Sequence, residues 1–193
     1  MTANVKILVI HGAGEGSYEY DEPLANFVRG QLDDPMQLAY PKFEGLERGD
    51  WSQIQQELTA ALSNLADDGQ IIGHSLGGAA ILKLLSEQNH PRRINGLFLV
   101  AIPYICKDGE WAMEDLSVDN DFADHLPDCG DIRLYHSRDD DIVPFNHVHL
   151  YAEKLKQATV TVVDGHGHQF ASKPFLELAK DLKQLLANKG AQK

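Results

Sequence analysis

The segment Gly73-His74-Ser75-Leu76-Gly77 places one hydroxyl between two glycines, at the join of an apolar run and an amphipathic stretch. Gln70-Ile71-Ile72 before it opens like a short buried strand, and Gly78-Ala79-Ala80-Ile81-Leu82-Lys83-Leu84-Leu85 after it has the apolar spacing of a helix. A strand that turns at once into a helix needs small residues at the corner, because Cβ atoms there would collide across the turn. Gly73 and Gly77 meet that need and leave Ser75 free to hold a strained backbone with its Oγ raised above the sheet. An ordinary Gly-Ser loop fits the same five-residue pattern, so the reading depends on whether partner residues follow in the required order.

The rest of the chain alternates strand and helix around that corner. Val5-Lys6-Ile7-Leu8-Val9-Ile10 is a strand-like run that ends in the glycine-rich turn His11-Gly12-Ala13-Gly14, where ligand-facing loops of open α/β sheets lie. A helix is expected over Asp21 to Leu32, and a strand over Met36 to Tyr40. Trp51, Ile54, Leu58, Leu62 and Leu65 recur at helical spacing behind Asp50 as N-cap. Ile94 to Ala101 and Asp131 to His136 read as strands. A helix from about Asn146 to Gln157 leads to the strand Thr159 to Val163. A final helix carries Phe175, Leu178, Ala179, Leu182, Leu185 and Leu186 on one face, with Pro174 in its first turn. Near-continuous apolar strands separated by helices imply a mostly parallel, doubly wound α/β sheet of about six strands, covered on both faces.

At 193 residues the chain is expected to form a single domain, 1–193, large enough to bury a core without disulfides or metals. Its 17 basic and 29 acidic residues give a formal charge of -12, which argues against nucleic acid and anionic membranes as partners. The chain opens directly on a strand-like run with no leader signature, and no apolar stretch is long enough to span a bilayer. Cys106 and Cys129 match neither a disulfide framework nor a metal spacing, so reduced thiols in a cytoplasmic protein are expected. No phosphate-binding glycine loop or dinucleotide fingerprint is present, and no cofactor or metal is expected.

Two later segments supply partners for Ser75. Ser137-Arg138-Asp139-Asp140-Asp141-Ile142-Val143-Pro144 puts carboxylates in a loop after a strand, and two of the three aspartates are read as a solvated acidic turn. Asp164-Gly165-His166-Gly167-His168-Gln169-Phe170 follows the last strand, and its glycines let a histidine lean back over the sheet edge. The order Ser, Asp, His across successive strand ends is that of an α/β-hydrolase triad.

Through the His11-Gly12 turn, the Trp51 helix, the Gly73 to Gly77 elbow, the Asp140 to Pro144 run and Gly167-His168, nearly the whole chain resembles a family of small hydrolases. These are the capless α/β-hydrolases that include the retinoblastoma-binding serine hydrolases and their bacterial YdeN-like counterparts. The resemblance implies an α/β-hydrolase fold without a large cap. It also implies Asp140, two residues before the apolar pair and proline, as the triad acid, and His168 as the triad histidine. The chain departs from the pattern in two places: only Pro41 remains of two prolines upstream of the tryptophan, and Gln169 separates His168 from the usual aromatic. The second departure keeps His166 as an alternative base. Trp51 is either a feature of the site's rim or a buried anchor at a helix start.

In this reading Ser75 is the nucleophile, His168 its general base, and Asp140 the group that fixes the imidazole tautomer. The backbone N–H groups of Leu76 and Ala13 are the expected oxyanion donors, and His11 a packing residue. The stretch Ile102 to Gly130, where larger hydrolases carry a cap, has room for a short helix or two, with Trp111, Met113 and Phe122 as acyl-pocket or core residues. The expectation is a serine hydrolase acting on a small-molecule ester or amide, the rival a non-catalytic protein-binding module on the same scaffold.

Overall fold

The computed structural model describes residues 5–88 and 93–188. The expectation that no leader precedes the first strand rests in part on residues 1–4, which lie outside the described residues. In chain order the elements are β1 (Val5–Ile10), α1 (Ser17–Arg29), β2 (Leu38–Ala39), α2 (Glu44–Arg48), α3 (Trp51–Ser63), β3 (Leu65–His74) and α4 (Ser75–Glu87), then β4 (Gly96–Val100), β5 (Asp131–Ser137), α5 (His147–Lys154), β6 (Thr159–Val163) and α6 (Leu176–Asn188). The six strands form one sheet in the order β2-β1-β3-β4-β5-β6, with every neighbouring pair parallel. The direction of winding reverses between β1 and β3, and such a reversal opens a crevice at the strands' C-terminal ends.

Strand periodicity sorts the core into two layers. Ile7, Val9, Ile72, Phe98, Val100 and Tyr135 face Leu24, Ala25 and Val28 of α1 and Leu178 and Leu182 of α6. Their alternating neighbours Leu8, Ile10, Ile71, Leu97, Leu99, Ile132 and Leu134 face Ile54 and Leu58 of α3, the apolar face of α4, and Val148 and Tyr151 of α5. Both faces of the sheet are therefore covered, the doubly wound arrangement that apolar parallel strands require.

Several boundaries differ from the sequence reading. Helix α1 starts at Ser17, four residues early, because Gly16 takes a left-handed φ of 78° and launches the helix. Pro23 then sits inside the helix rather than in its first turn. Of Met36 to Tyr40 only Leu38 and Ala39 pair with β1, and a 3-10 turn over Pro35–Gln37 precedes them. Helix α3 stops at Ser63, and Leu65, whose spacing continues its apolar stripe, is instead the first residue of β3. Asp50 caps α3 as expected, accepting a hydrogen bond from the Gln53 N–H at 3.2 Å. Helix α5 is shorter than expected, and α6 begins after Pro174 and Phe175, although Phe175 is fully buried against it. Helix α2 has no counterpart in the sequence pattern, since five residues are too few to display an apolar period.

Between Ile102 and Gly130 the chain forms a bridge between Cys106 and Val118 and a 3-10 turn over Phe122–His125, with no large cap. Phe122 is a core residue packed on Tyr151, whereas Trp111 and Met113 are exposed. Among the described residues no helix is long and apolar enough to cross a membrane.

Candidate active site

The turn from β3 into α4 holds Ser75 at φ 48°, the left-handed region that an L residue occupies only under constraint. The glycines around it allow this by close approach. A Cβ on Gly73 would lie 2.6 Å from the Gly78 Cα, and one on Gly77 would lie 2.0 Å from the His11 carbonyl oxygen. Gly73 therefore lets α4 fold back on its own strand, and Gly77 lets α4 press against the end of β1. Ser75 remains partly accessible at the mouth of the crevice.

His168 reaches that serine from the loop between β6 and α6, whose course depends on Gly165 at φ 72° and Gly167 at φ 59°. Its Nε2 lies 3.0 Å from the Ser75 Oγ, and its Nδ1 lies 2.9 and 3.1 Å from the two Asp140 oxygens. A ring donating from Nδ1 to the carboxylate leaves Nε2 as an acceptor facing the serine hydroxyl, the tautomer a general base needs. Asp140 stands in the loop after β5 with its carboxylate fully buried. Its Oδ1 accepts the N–H groups of Ile142 and Val143 at 2.9 and 2.8 Å, and its Oδ2 lies 3.2 Å from the Nε2 of buried His136. Burial pushes its pKa up, but hydrogen bonds from His136, His168 and the Val143 N–H, with the His168 charge, hold it well below the usual carboxylate range.

The alternatives left open in the sequence separate in space. His166 stacks on Phe170 at a centroid distance of 5.1 Å and forms part of the wall, its backbone N–H donating to the Ser137 Oγ at 3.2 Å. Burial, with Lys173 nearby, lowers its pKa. Asp141 is exposed, but Asp139 is more than a solvated turn residue. It accepts from the Ser137 hydroxyl and from the Gly165 N–H at 2.8 Å, which ties the acid's loop to the histidine's loop. His11 packs as expected and also bridges: its Nδ1 lies 2.8 Å from the Gly12 carbonyl, and its Nε2 accepts the Phe43 N–H at 2.9 Å.

Of the expected oxyanion donors, Leu76 lies in the first turn of α4, where N–H groups lack intrahelical acceptors. Ala13 is exposed and borders the cavity beside Ser75. That cavity, of about 230 Å³, is lined by Gly12, Ala13, Glu15, Tyr20, Ser75, Ile142 and His168 among others. Trp51, Trp111, Met113 and Phe122 do not line that cavity, and of these Phe122 is a core residue. Trp51 instead packs at the start of α3 with the Lys83 ammonium 5.0 Å above its ring. A larger, mostly aliphatic cavity of about 490 Å³ lies away from the serine, between β1, β2 and α3.

Three neighbours of the site, Asp21, His74 and His136, are given no role in the sequence reading. Asp21 shares the buried stripe of α1 with Leu24, Ala25 and Val28, so a carboxylate at an apolar helical position was the available signal. His136 falls two residues after Leu134 on the buried face of β5.

The serine hydrolase family matches this chain over residues 34–186. No curated protein sequence matches it. Among solved structures, the ydeN gene product of B. subtilis superposes with a TM-score of 0.65 at 21% identity, over 94% of this chain and 98% of that one. Est1E from Butyrivibrio proteoclasticus gives 0.64 at 15% identity, over 99% and 90%. SOBER1 from Arabidopsis thaliana gives 0.63 at 16% identity, over 93% and 98%. At these identities the superpositions speak for the α/β-hydrolase fold.

Proposed function

The chain belongs to the serine hydrolase family, and we propose that it cleaves a small carboxylic ester or amide through an acyl-enzyme on Ser75. The observation that carries the reading is the single His168 ring spanning from the Ser75 Oγ at 3.0 Å to the Asp140 carboxylate at 2.9 Å. As the Ser75 Oγ attacks the substrate carbonyl, its proton passes to His168 Nε2, and Asp140 stabilises the imidazolium that results. The oxyanion takes up hydrogen bonds from the N–H groups of Leu76 and Ala13. When the tetrahedral intermediate collapses, the bond to the leaving group breaks and His168 returns the proton to the departing oxygen or nitrogen. Water, deprotonated by the same ring, then attacks the acyl carbonyl, and as the bond to the Ser75 Oγ breaks His168 returns that proton to Oγ and the acid is released.

Cavity size and lining support a small substrate. About 230 Å³ falls below the range of roughly 300–1,000 Å³ typical of drug-sized ligand sites. Exposed Tyr20 and Ile142 flank the opening with apolar surface, and Glu15 lies in the lining. A purely binding role gives no reason for a strained serine aligned with a histidine and a buried carboxylate. Cytoplasmic residence belongs to the same proposal. It is supported by Cys106 and Cys129, both unpaired and buried.

The test is hydrolysis of p-nitrophenyl esters of graded acyl length by the wild-type chain and by Ser75→Ala. The proposal expects turnover of short acyl esters that disappears in the folded variant. Turnover surviving in Ser75→Ala rules out this serine.

A further inference from the structure

We infer that Asp21 and His74 form a buried carboxylate–imidazolium pair beneath Ser75 and act as positioning residues for the hydrolytic site. His74, the residue before the serine, is 2% exposed and Asp21 is 3% exposed. The His74 Nδ1 lies 2.6 Å from Asp21 Oδ2, and its Nε2 lies 2.8 Å from the backbone carbonyl oxygen of His168. A carbonyl only accepts, so Nε2 carries a proton. The Asp21 Oδ2 already accepts the Gly12 N–H at 2.7 Å. The proton between that oxygen and Nδ1 goes to the stronger base, imidazole at about 6.5 against carboxylate at about 3.9. Both ring nitrogens then donate, and the ring is charged.

The groups facing His74 from each packed element agree with this assignment. Asp21 approaches from α1 and the Gly12 backbone from the end of β1. The His168 carbonyl and ring approach from the loop after β6, the two rings 4.9 Å apart, and Asp140 adds its field from the loop after β5. Burial lowers the His74 pKa, but the Asp21 charge, hydrogen bonds to Asp21 and the His168 carbonyl, and the Asp140 charge raise it above its ordinary value. Burial likewise raises Asp21, and the His74 charge and hydrogen bonds from His74 and Gly12 bring it below its ordinary value.

The consequence is positional. One end of the pair holds the backbone of His168, the proposed base, and the other holds the Gly12 N–H, immediately before the Ala13 N–H proposed for the oxyanion. A single charged bridge thus sets the spacing of two loops that meet over Ser75 from opposite sides. Displacement of about 1 Å in such a constellation costs on the order of 10²-fold in rate.

This inference rests on the hydrolase reading, and the experiment separates the two. Fluorophosphonate inactivation is measured on wild type, Asp21→Asn, His74→Gln and a packing control, Leu24→Ala, on the same face of α1. The ring nitrogens of His74 in the wild-type chain are observed by ¹⁵N NMR, assigned by their loss in His74→Gln. The expected result is two protonated ring nitrogens on His74 at a pH well above 6.5, with the maximal inactivation rate falling about 10²-fold in both dyad variants. Half-saturating probe concentration should hold, and Leu24→Ala should label at the wild-type rate. One protonated nitrogen, or wild-type inactivation by folded Asp21→Asn, overturns the inference. A wild-type chain that the probe leaves unlabelled overturns the hydrolase reading instead, and the NMR result still decides the charge of the pair.

Discussion

Replacing Asp140 by Asn changes charge and hydrogen-bond polarity while leaving side-chain size nearly untouched. Its surroundings dictate how the amide must sit. Two backbone donors, the N–H groups of Ile142 and Val143, point at Oδ1 from 2.9 and 2.8 Å, so the amide oxygen must take that position. The NH₂ then replaces Oδ2, 2.9 Å from His168 Nδ1 and 3.2 Å from His136 Nε2. A donor facing Nδ1 drives the His168 proton to Nε2, which now presents N–H to the Ser75 oxygen 3.0 Å away and cannot take its proton. In serine triads generally, an acid-to-amide change that leaves the wrong tautomer in this way costs about 10⁴-fold in kcat. That corresponds to about 5 kcal/mol of transition-state stabilisation. Ester turnover and fluorophosphonate inactivation, measured beside thermal unfolding, read the effect in a folded protein. A folded Asp140→Asn within tenfold of wild type refutes the tautomer argument. A comparable loss in Asp139→Asn or Asp141→Asn refutes the assignment of the acid.

His168→Gln should abolish the acid limb of the pH–rate profile along with activity, while His166→Gln, which removes a ring packed on Phe170 and Phe175, should lower the unfolding temperature and keep near-normal rates; the reverse pattern makes His166 the base. Gly77→Ala places a methyl 2.0 Å from the His11 carbonyl oxygen and should prevent accumulation of folded protein; a wild-type yield and melting curve contradicts the close approach of α4 to β1 as the reason for that glycine. The Asp21–His74 pair predicts a pH-dependent stability. His74, raised in the folded state, contributes fully below its ordinary 6.5 and loses that contribution as pH rises through its folded value. Asp21, lowered in the folded state, contributes above its ordinary 3.8 and loses it as pH falls through its folded value. The difference in thermal stability between wild type and His74→Gln should therefore be largest between those ordinary values and shrink in alkali, and a gap unchanged with pH contradicts the charged pair.

The sheet and its serine were legible because each depends on local pattern. Apolar strands such as Leu97 to Val100 are buried on both faces, so their runs are unbroken, and the glycines around the elbow stand where any Cβ would collide. Asp140 and His168 could be singled out because each follows a strand; choosing Asp140 over Asp139 drew on family resemblance, and choosing His168 over His166 drew on that and on its place beyond Gly165 and Gly167 in the loop. In the folded chain the candidates part: Asp139 points to Gly165, and His166 turns into the aromatic wall. Asp21 and His74 were not legible as a pair because they lie on different elements and meet only when α1 packs beside the β3–α4 turn. Helix boundaries moved for a similar reason. Gly16 in a left-handed conformation starts α1 before Pro23, where sequence logic places a proline in the first turn.

Every step of the proposed chemistry requires the Ser75 Oγ to be an activated nucleophile. Stoichiometric treatment of the wild-type chain with a fluorophosphonate, followed by proteolysis and mass spectrometry, reads this out at the residue itself. A single phosphonyl adduct on Ser75, absent from folded Ser75→Ala and from folded His168→Gln, is the predicted result. An unmodified Ser75 in active protein, or an adduct on another residue with turnover intact in Ser75→Ala, contradicts it.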